Sequence, residues 1–153
     1  MDLILWRHAD SPPAAPGQND LARGLTPKGE RQAQVMGRWL DTHLPADTRI
    51  LVSPAVRCQL TVAGLARPFE TSGALAPELS AQGLLHAAGW PRAPGTVLVV
   101  GHQPTLGEVT AALVAGVGGS WSFKKGAVWW LQGGHAGEGG RADLLTVLSP
   151  ERL

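Results

Sequence analysis

A chain of 153 residues, 44% of them hydrophobic, is sized for a single domain, read as 1–153, whose core needs no disulfide or metal for stability. Its 13 Lys and Arg nearly balance 12 Asp and Glu, for a net charge of +1, which excludes the overall basic field that holds nucleic acid backbones. The single cysteine, Cys58, has no partner for an internal disulfide, no basic segment precedes the first apolar run, and no apolar stretch approaches the ~18 residues of a membrane span, so a soluble, cytoplasmic protein is expected.

The first apolar run, Leu3 to Trp6, breaks abruptly into Arg7, His8 and Asp10. This predicts a strand buried on both faces with the Arg-His pair at its exposed end. SPPAAPGQND has the composition of a surface loop. LTPKGERQAQVMGRWLDTHL predicts a helix: Thr26 is the N-cap, Pro27 takes the first helical position, and Ala33, Met36, Leu40 and Leu44 recur at helical spacing. TRILVSPAVRCQLTVAGLAR reads as strand, sharp turn at Ser53-Pro54, then helix. A short strand near Phe69, a Pro-containing loop around LAPELS and a weak helix from Leu84 to Ala88 follow. TVLVVGHQPTLGEVTAALVAG repeats the strand, turn, helix plan, with Pro104 suited to a first turn. GAVWWLQGG and ADLLTVLSP are the last strands, joined by the Gly-rich GGHAGEGG as a flexible hairpin connection.

Strands alternating with helices predict an α/β fold of three layers, a mostly parallel central sheet with helices on both faces. Ligands of such sheets bind beyond the carboxyl ends of the strands. The first strand delivers Arg7 and His8 to that edge, the second Arg57 in the first turn of its helix, the third His102. Guanidinium and imidazole groups gathered in this way suit a phosphoryl group or another tetrahedral oxyanion. His43, His86 and His135 have no partners in the pattern and read as solvated; Trp39, Trp129 and Trp130 read as packing residues. A metal site from His8, Asp10, Glu78 and His102 is open by residue type, but no paired-His helix spacing or Cys pair supports it, and neither metal nor cofactor is expected.

LWRHAD, DLARGLTPKGERQA, LVSPAVRCQLT, PELS and VVGHQPTLG, in this order and at these separations, resemble the histidine phosphatase superfamily, the phosphoglycerate mutase and acid phosphatase relatives. The short chain without a cap insertion, the Asp20, Arg23, Leu25, Thr26 pattern and KKGAVWWL resemble its small SixA-like phosphohistidine phosphatase group. The likeness runs from about residue 3 to residue 131. Ala9 stands where the commonest superfamily motif has Gly, and Leu60 where it has Gln, with Thr61 retained.

The resemblance implies a metal-independent phosphatase in which neutral His8 attacks phosphorus in line and water hydrolyses the resulting phosphohistidine. Such a role suits imidazole chemistry near neutral pH. Arg7, Arg57 and His102, as imidazolium, would stabilise the equatorial oxygens, and Glu78 is the candidate general acid. Arg23 either reaches the rim of the phosphate site or pairs with Asp20. The expected substrate is a phosphorylated protein, such as a phosphohistidine on a signalling domain. A small phosphorylated metabolite, or a non-catalytic phosphate-binding role, stays open.

Overall fold

The computed structural model describes residues 1–133 and 140–153. Most of the predicted Gly-rich hairpin connection, with His135, lies outside the described residues. Among the described residues six strands form one sheet: β1 (Asp2–Arg7), β2 (Arg49–Val52), β3 (Glu70–Thr71), β4 (Thr96–Gly101), β5 (Val128–Gly133) and β6 (Ala142–Leu148), in the order β3-β2-β4-β1-β5-β6. β3, β2, β4 and β1 are parallel neighbours, whereas β5 runs antiparallel to both β1 and β6. The predicted mostly parallel sheet is therefore present, with one reversed strand.

Among the described residues four α-helices complete the layers: α1 (Pro27–His43), α2 (Val56–Ala63), α3 (Ala81–Ala88) and α4 (Thr105–Thr110), the last continued by a π-helical turn over Ala111–Ala115. α1 begins where the sequence predicts, because Thr26 Oγ1 accepts the Gly29 N–H at 3.0 Å and Pro27 has no N–H left to satisfy.

Successive residues of a strand face opposite sides of the sheet, and the central strands use both faces for core. Ile4, Trp6, Ile50, Val52, Leu98 and Val100 pack with Met36 and Leu40 of α1 and Cys58 and Val62 of α2. Leu3, Leu5, Leu51, Val97 and Val99 pack on the other side with Leu84 of α3 and Leu106 and Val109 of α4. The continuous apolar runs LILW and VLVV are what two buried faces demand. α1 and α2 approach so closely that a Cβ at Gly37 would fall on the Gly64 carbonyl. Trp39 is partly buried against the first core and Trp129 against the second, while Trp130 packs on the first and donates its Nε1–H to Asp2. His86 is exposed as expected; His43 is exposed too but not without partners, since it stacks on Trp39 and its Nδ1 lies 2.7 Å from the Trp39 carbonyl.

Candidate active site

Because β1, β2 and β4 are parallel, their carboxyl ends lie on one edge, and β1 pairs with β4 up to Arg7 opposite Gly101. His8 and His102 are the next residues of these adjacent strands. The His8 backbone is fixed on both sides: its N–H donates to Gly101 O at 3.1 Å and its carbonyl accepts from Gly126 N at 3.1 Å. Arg57 enters from the first turn of α2. Thr61, one turn further on, donates to the Arg57 carbonyl at 2.7 Å and accepts the Ala9 N–H at 2.9 Å, so one hydroxyl couples the segment after His8 to the helix bearing Arg57. Leu60 lies on the exposed side of the same helix.

A cavity of ≈ 360 Å³ opens at this edge, and Arg7, His8, Arg23, Arg57, Glu78 and His102 all line it, with Asp20 and Lys125 among the other lining groups. The sequence thus named side chains from five distant segments that the fold does bring together. Glu78 reaches the cavity from a loop and holds a left-handed backbone, φ +69°, unusual for a residue with a side chain.

His8 is not at an exposed end, as its place at a strand terminus suggested; it is only 8% exposed, because the segments after β4 and before β5 close around it. Burial, followed by the charges of Arg57, Arg7 and Arg23, holds its pKa down at about 4 despite the hydrogen bond to Ala9. The His8 Nδ1 lies 2.8 Å from the Ala9 carbonyl. A carbonyl only accepts, so Nδ1 carries the proton and the lone pair is on Nε2.

His102 departs from the expected imidazolium. Burial first, then the neighbouring His8 and Arg57, lower its pKa to about 3, against a raising influence of Asp20. Its Nδ1 faces Arg57 Nη2 at 3.4 Å and its Nε2 faces Ser53 Oγ at 2.7 Å. Arg57 can only donate, so Nδ1 accepts and the single ring proton points from Nε2 to Ser53. With its pKa at about 3, the His102 ring is neutral near pH 7. Cys58 lies against the same ring, Sγ 3.6 Å from Nε2, and burial pushes its thiol up to about 12.

The arginines are anchored but not saturated. Arg7 Nη1 donates to the Phe123 carbonyl at 2.6 Å, and Arg57 Nη1 and Nη2 donate to Asp20. Arg7 Nε and Arg57 Nε are the buried side-chain nitrogens or oxygens that find no partner among the described residues. Two unsatisfied guanidinium donors are costly in a protein that has no acceptor to bring to them. Arg23 pairs with Asp20 through Nε and Nη2, each at 2.9 Å from Oδ1, and also lines the cavity.

Sequence reasoning did not single out Ser53 as the partner of His102, Asp20 as the partner of Arg57, or Lys125 at the rim. Ser53 was readable only as a turn residue, and Lys125 only as half of a basic pair. Asp10, considered as a metal ligand by type, accepts from Thr26 Oγ1 at 2.7 Å and from Lys125 Nζ at 2.9 Å. Among the described residues no group of three or more His, Cys, Asp or Glu side chains is placed to hold a metal ion.

An α/β sheet that assembles histidines and arginines at its carboxyl edge is the arrangement of a phosphoryl-handling enzyme, and residues 3–91 match the histidine phosphatase superfamily (branch 1). The chain belongs to that superfamily, and its similarity to phosphohistidine phosphatases supports a phosphatase activity. It is 33% identical over 128 residues to the phosphohistidine phosphatase SixA homolog of Haemophilus influenzae, covering 74% of this chain and 77% of that one. It is 31% identical over 124 residues to the phosphohistidine phosphatase SixA of Escherichia coli, covering 76% of each. The structure of the protein histidine phosphatase SixA complexed with tungstate superimposes with a TM-score of 0.77 at 25% identity, covering 99% of both chains.

Proposed function

We propose that this protein is a phosphohistidine phosphatase acting on phosphorylated protein through a covalent intermediate on His8. The observation that carries this reading is the His8 ring itself. With Nδ1–H committed to the Ala9 carbonyl, the Nε2 lone pair stays available at neutral pH, beside two arginines whose buried Nε–H groups lack acceptors.

In the first step Nε2 forms a bond to phosphorus as the bond from phosphorus to the leaving group breaks. Arg7 and Arg57 bind the equatorial oxygens, where charge accumulates. Phosphorylation makes the His8 ring cationic, and the Ala9 carbonyl stabilises it through Nδ1–H. Glu78 donates a proton to the leaving group, and as carboxylate it then takes one from the attacking water. That water displaces neutral His8 and yields inorganic phosphate. His102 begins neutral and takes up a proton from solvent as the phosphoryl dianion binds and supplies the compensating charge, turning its Nδ1 from an acceptor toward Arg57 into a donor toward oxygen.

The names of the SixA relatives and the full-length superposition on SixA favour a phosphohistidine substrate. The test is a brief incubation with 32P-labelled phosphohistidine protein, quenched in alkaline denaturant because phosphoramidates are acid-labile. Label is expected on His8 and absent in His8→Ala, together with loss of turnover. Full turnover by His8→Ala would remove the covalent mechanism, and a strong preference for small phosphoesters would replace the protein substrate by a metabolite.

A further inference from the structure

Arg57 holds five N–H groups in a planar fork, and their partners divide into two edges. At the outer end, Nη1 donates to the backbone carbonyl of Asp20 at 2.9 Å and Nη2 to its Oδ2 at 3.1 Å. On the inner edge, Nε is buried without a partner and Nη2 faces His102 Nδ1 at 3.4 Å. One residue therefore holds the far end of the fork with both its main chain and its side chain, and leaves open the edge toward His102.

Asp20 is built to hold this place. It begins a 3-10 turn over Asp20–Ala22 whose N-cap, Asn19, accepts the Leu21 N–H at 3.0 Å. Its second oxygen, Oδ1, takes both nitrogens of Arg23. Partial burial of the carboxyl opposes ionisation, but the hydrogen bonds from Arg23 and Arg57 outweigh it and keep the pKa below the usual value. The Arg57 side chain is 4% exposed and that of Asp20 53%, so the anion sits at the mouth and the cation beneath it.

We propose that Asp20 is a positioning residue for phosphoryl transfer: by gripping the outer end of Arg57 it fixes the Nε and Nη2 edge toward the phosphoryl oxygens. The proposal rests on the phosphatase reading above. A carboxylate standing in for the phosphoryl group would occupy the inner edge; Asp20 leaves that edge open. Its removal frees the fork to turn, which costs most where alignment matters most, at the five-coordinate transition state. Simple attraction of a phosphate dianion survives, because a nearby negative charge has been removed at the same time.

The experiment compares wild type, Asp20→Ala, Asp20→Asn and Asp20→Glu on a phosphohistidine protein and on an aryl phosphate, with inhibition by vanadate as the transition-state mimic and by inorganic phosphate as the ground-state ligand. For Asp20→Ala, kcat is expected to fall about 10- to 100-fold with KM changed less than about threefold. Vanadate inhibition should weaken roughly in step with kcat, while phosphate inhibition stays the same or tightens. Asp20→Asn should show the same split, and Asp20→Glu should recover part of kcat. In an Arg57→Ala background, Asp20→Ala should cost nothing further. Parallel weakening of vanadate and phosphate would mean a general structural role and overturn the proposal. Tightening of both with kcat undiminished would overturn it in favour of Asp20 as a competing anion. Wild type without turnover of either substrate would remove the phosphatase reading and this inference with it; wild-type turnover matched by Asp20→Ala removes the inference alone.

Discussion

The rings of His8 and His102 lie with centroids 5.3 Å apart and tilted by 55°, one at the end of each of two paired parallel strands. At this separation two imidazolium ions repel each other strongly in a poorly solvated site. Both rings hold depressed pKa values: burial above all, then Arg57 and Arg7, bring His8 to about 4, and burial, then His8 and Arg57, bring His102 to about 3. In the proposed mechanism the pair supplies a nucleophile and a reserve proton carrier, both uncharged near neutral pH before substrate arrives.

The tautomers are directly measurable. Imidazole 15N spectra of the phosphate-free protein should show His8 protonated at Nδ1 and His102 at Nε2, with neither gaining a second proton down to pH 5. Saturating tungstate or phosphate should raise the His102 pKa above its value in the free protein. An ordinary titration of either ring near pH 6.5 in the free protein would contradict the site described.

The same shifts set the acid stability. Each histidine binds its proton less readily when folded than when unfolded, so the stabilising contribution is complete above the unfolded value of 6.5 and is lost as pH falls toward about 4 for His8 and about 3 for His102. For His8 alone the loss is on the order of 3 kcal/mol. Urea denaturation between pH 7 and pH 3.5 should show a steeper decline for wild type than for His8→Asn or His102→Gln. Superimposable slopes would mean that these rings do not govern acid unfolding.

Substitution of Glu78 should distinguish the two substrate classes. A departing alkoxide is strongly basic and needs its proton, so Glu78→Gln should reduce kcat on an alkyl phosphate by about 10² to 10⁴. Imidazole is a good leaving group, and turnover of a phosphohistidine protein should fall far less. Equal large losses on both substrates would make Glu78 a positioning group. Unchanged rates on both would make it an ordinary loop carboxylate.

The cationic side chains are expected to stabilise the transferring phosphoryl group without a metal. Prolonged EDTA treatment should leave kcat unchanged, and vanadate should inhibit far more strongly than inorganic phosphate. Activity lost on chelation and restored by a divalent cation would require a different electrostatic account.

Packing between α1 and α2 gives a prediction independent of the chemistry. A methyl group at Gly37 meets the backbone of Gly64 and Leu65, and backbone cannot move aside as a flexible side chain does. Gly37→Ala should destabilise the fold by about 1–3 kcal/mol in spite of its better helix propensity. Stabilisation by thermal denaturation would show that the two helices separate freely.

Much of the architecture was legible because it rests on local pattern. The runs Leu3–Trp6 and Val97–Val100 can bury both faces only in the interior of a sheet, and Thr26 with Pro27 marks a helix start through the backbone donors it satisfies or lacks. Arg7, His8, Arg57 and His102 were also legible, since strand ends in a parallel sheet necessarily share an edge. Charge state and partnership were not. His8 stands at a strand end, which by itself predicts exposure, yet loops distant in sequence cover it and shift its pKa. Residue type allowed His102 a positive charge, but desolvation and the proximity of His8 are properties of the assembled site. Asp20 is 37 residues from Arg57 and Ser53 is 49 from His102; no short-range signal connects either pair. The sequence by itself determined which groups the strands carry to the edge, because strand period and crossover direction are local and topological constraints. Tertiary structure alone decided which of those groups are neutral and how each is held, because desolvation and hydrogen bonding depend on atoms that the chain brings together only when folded.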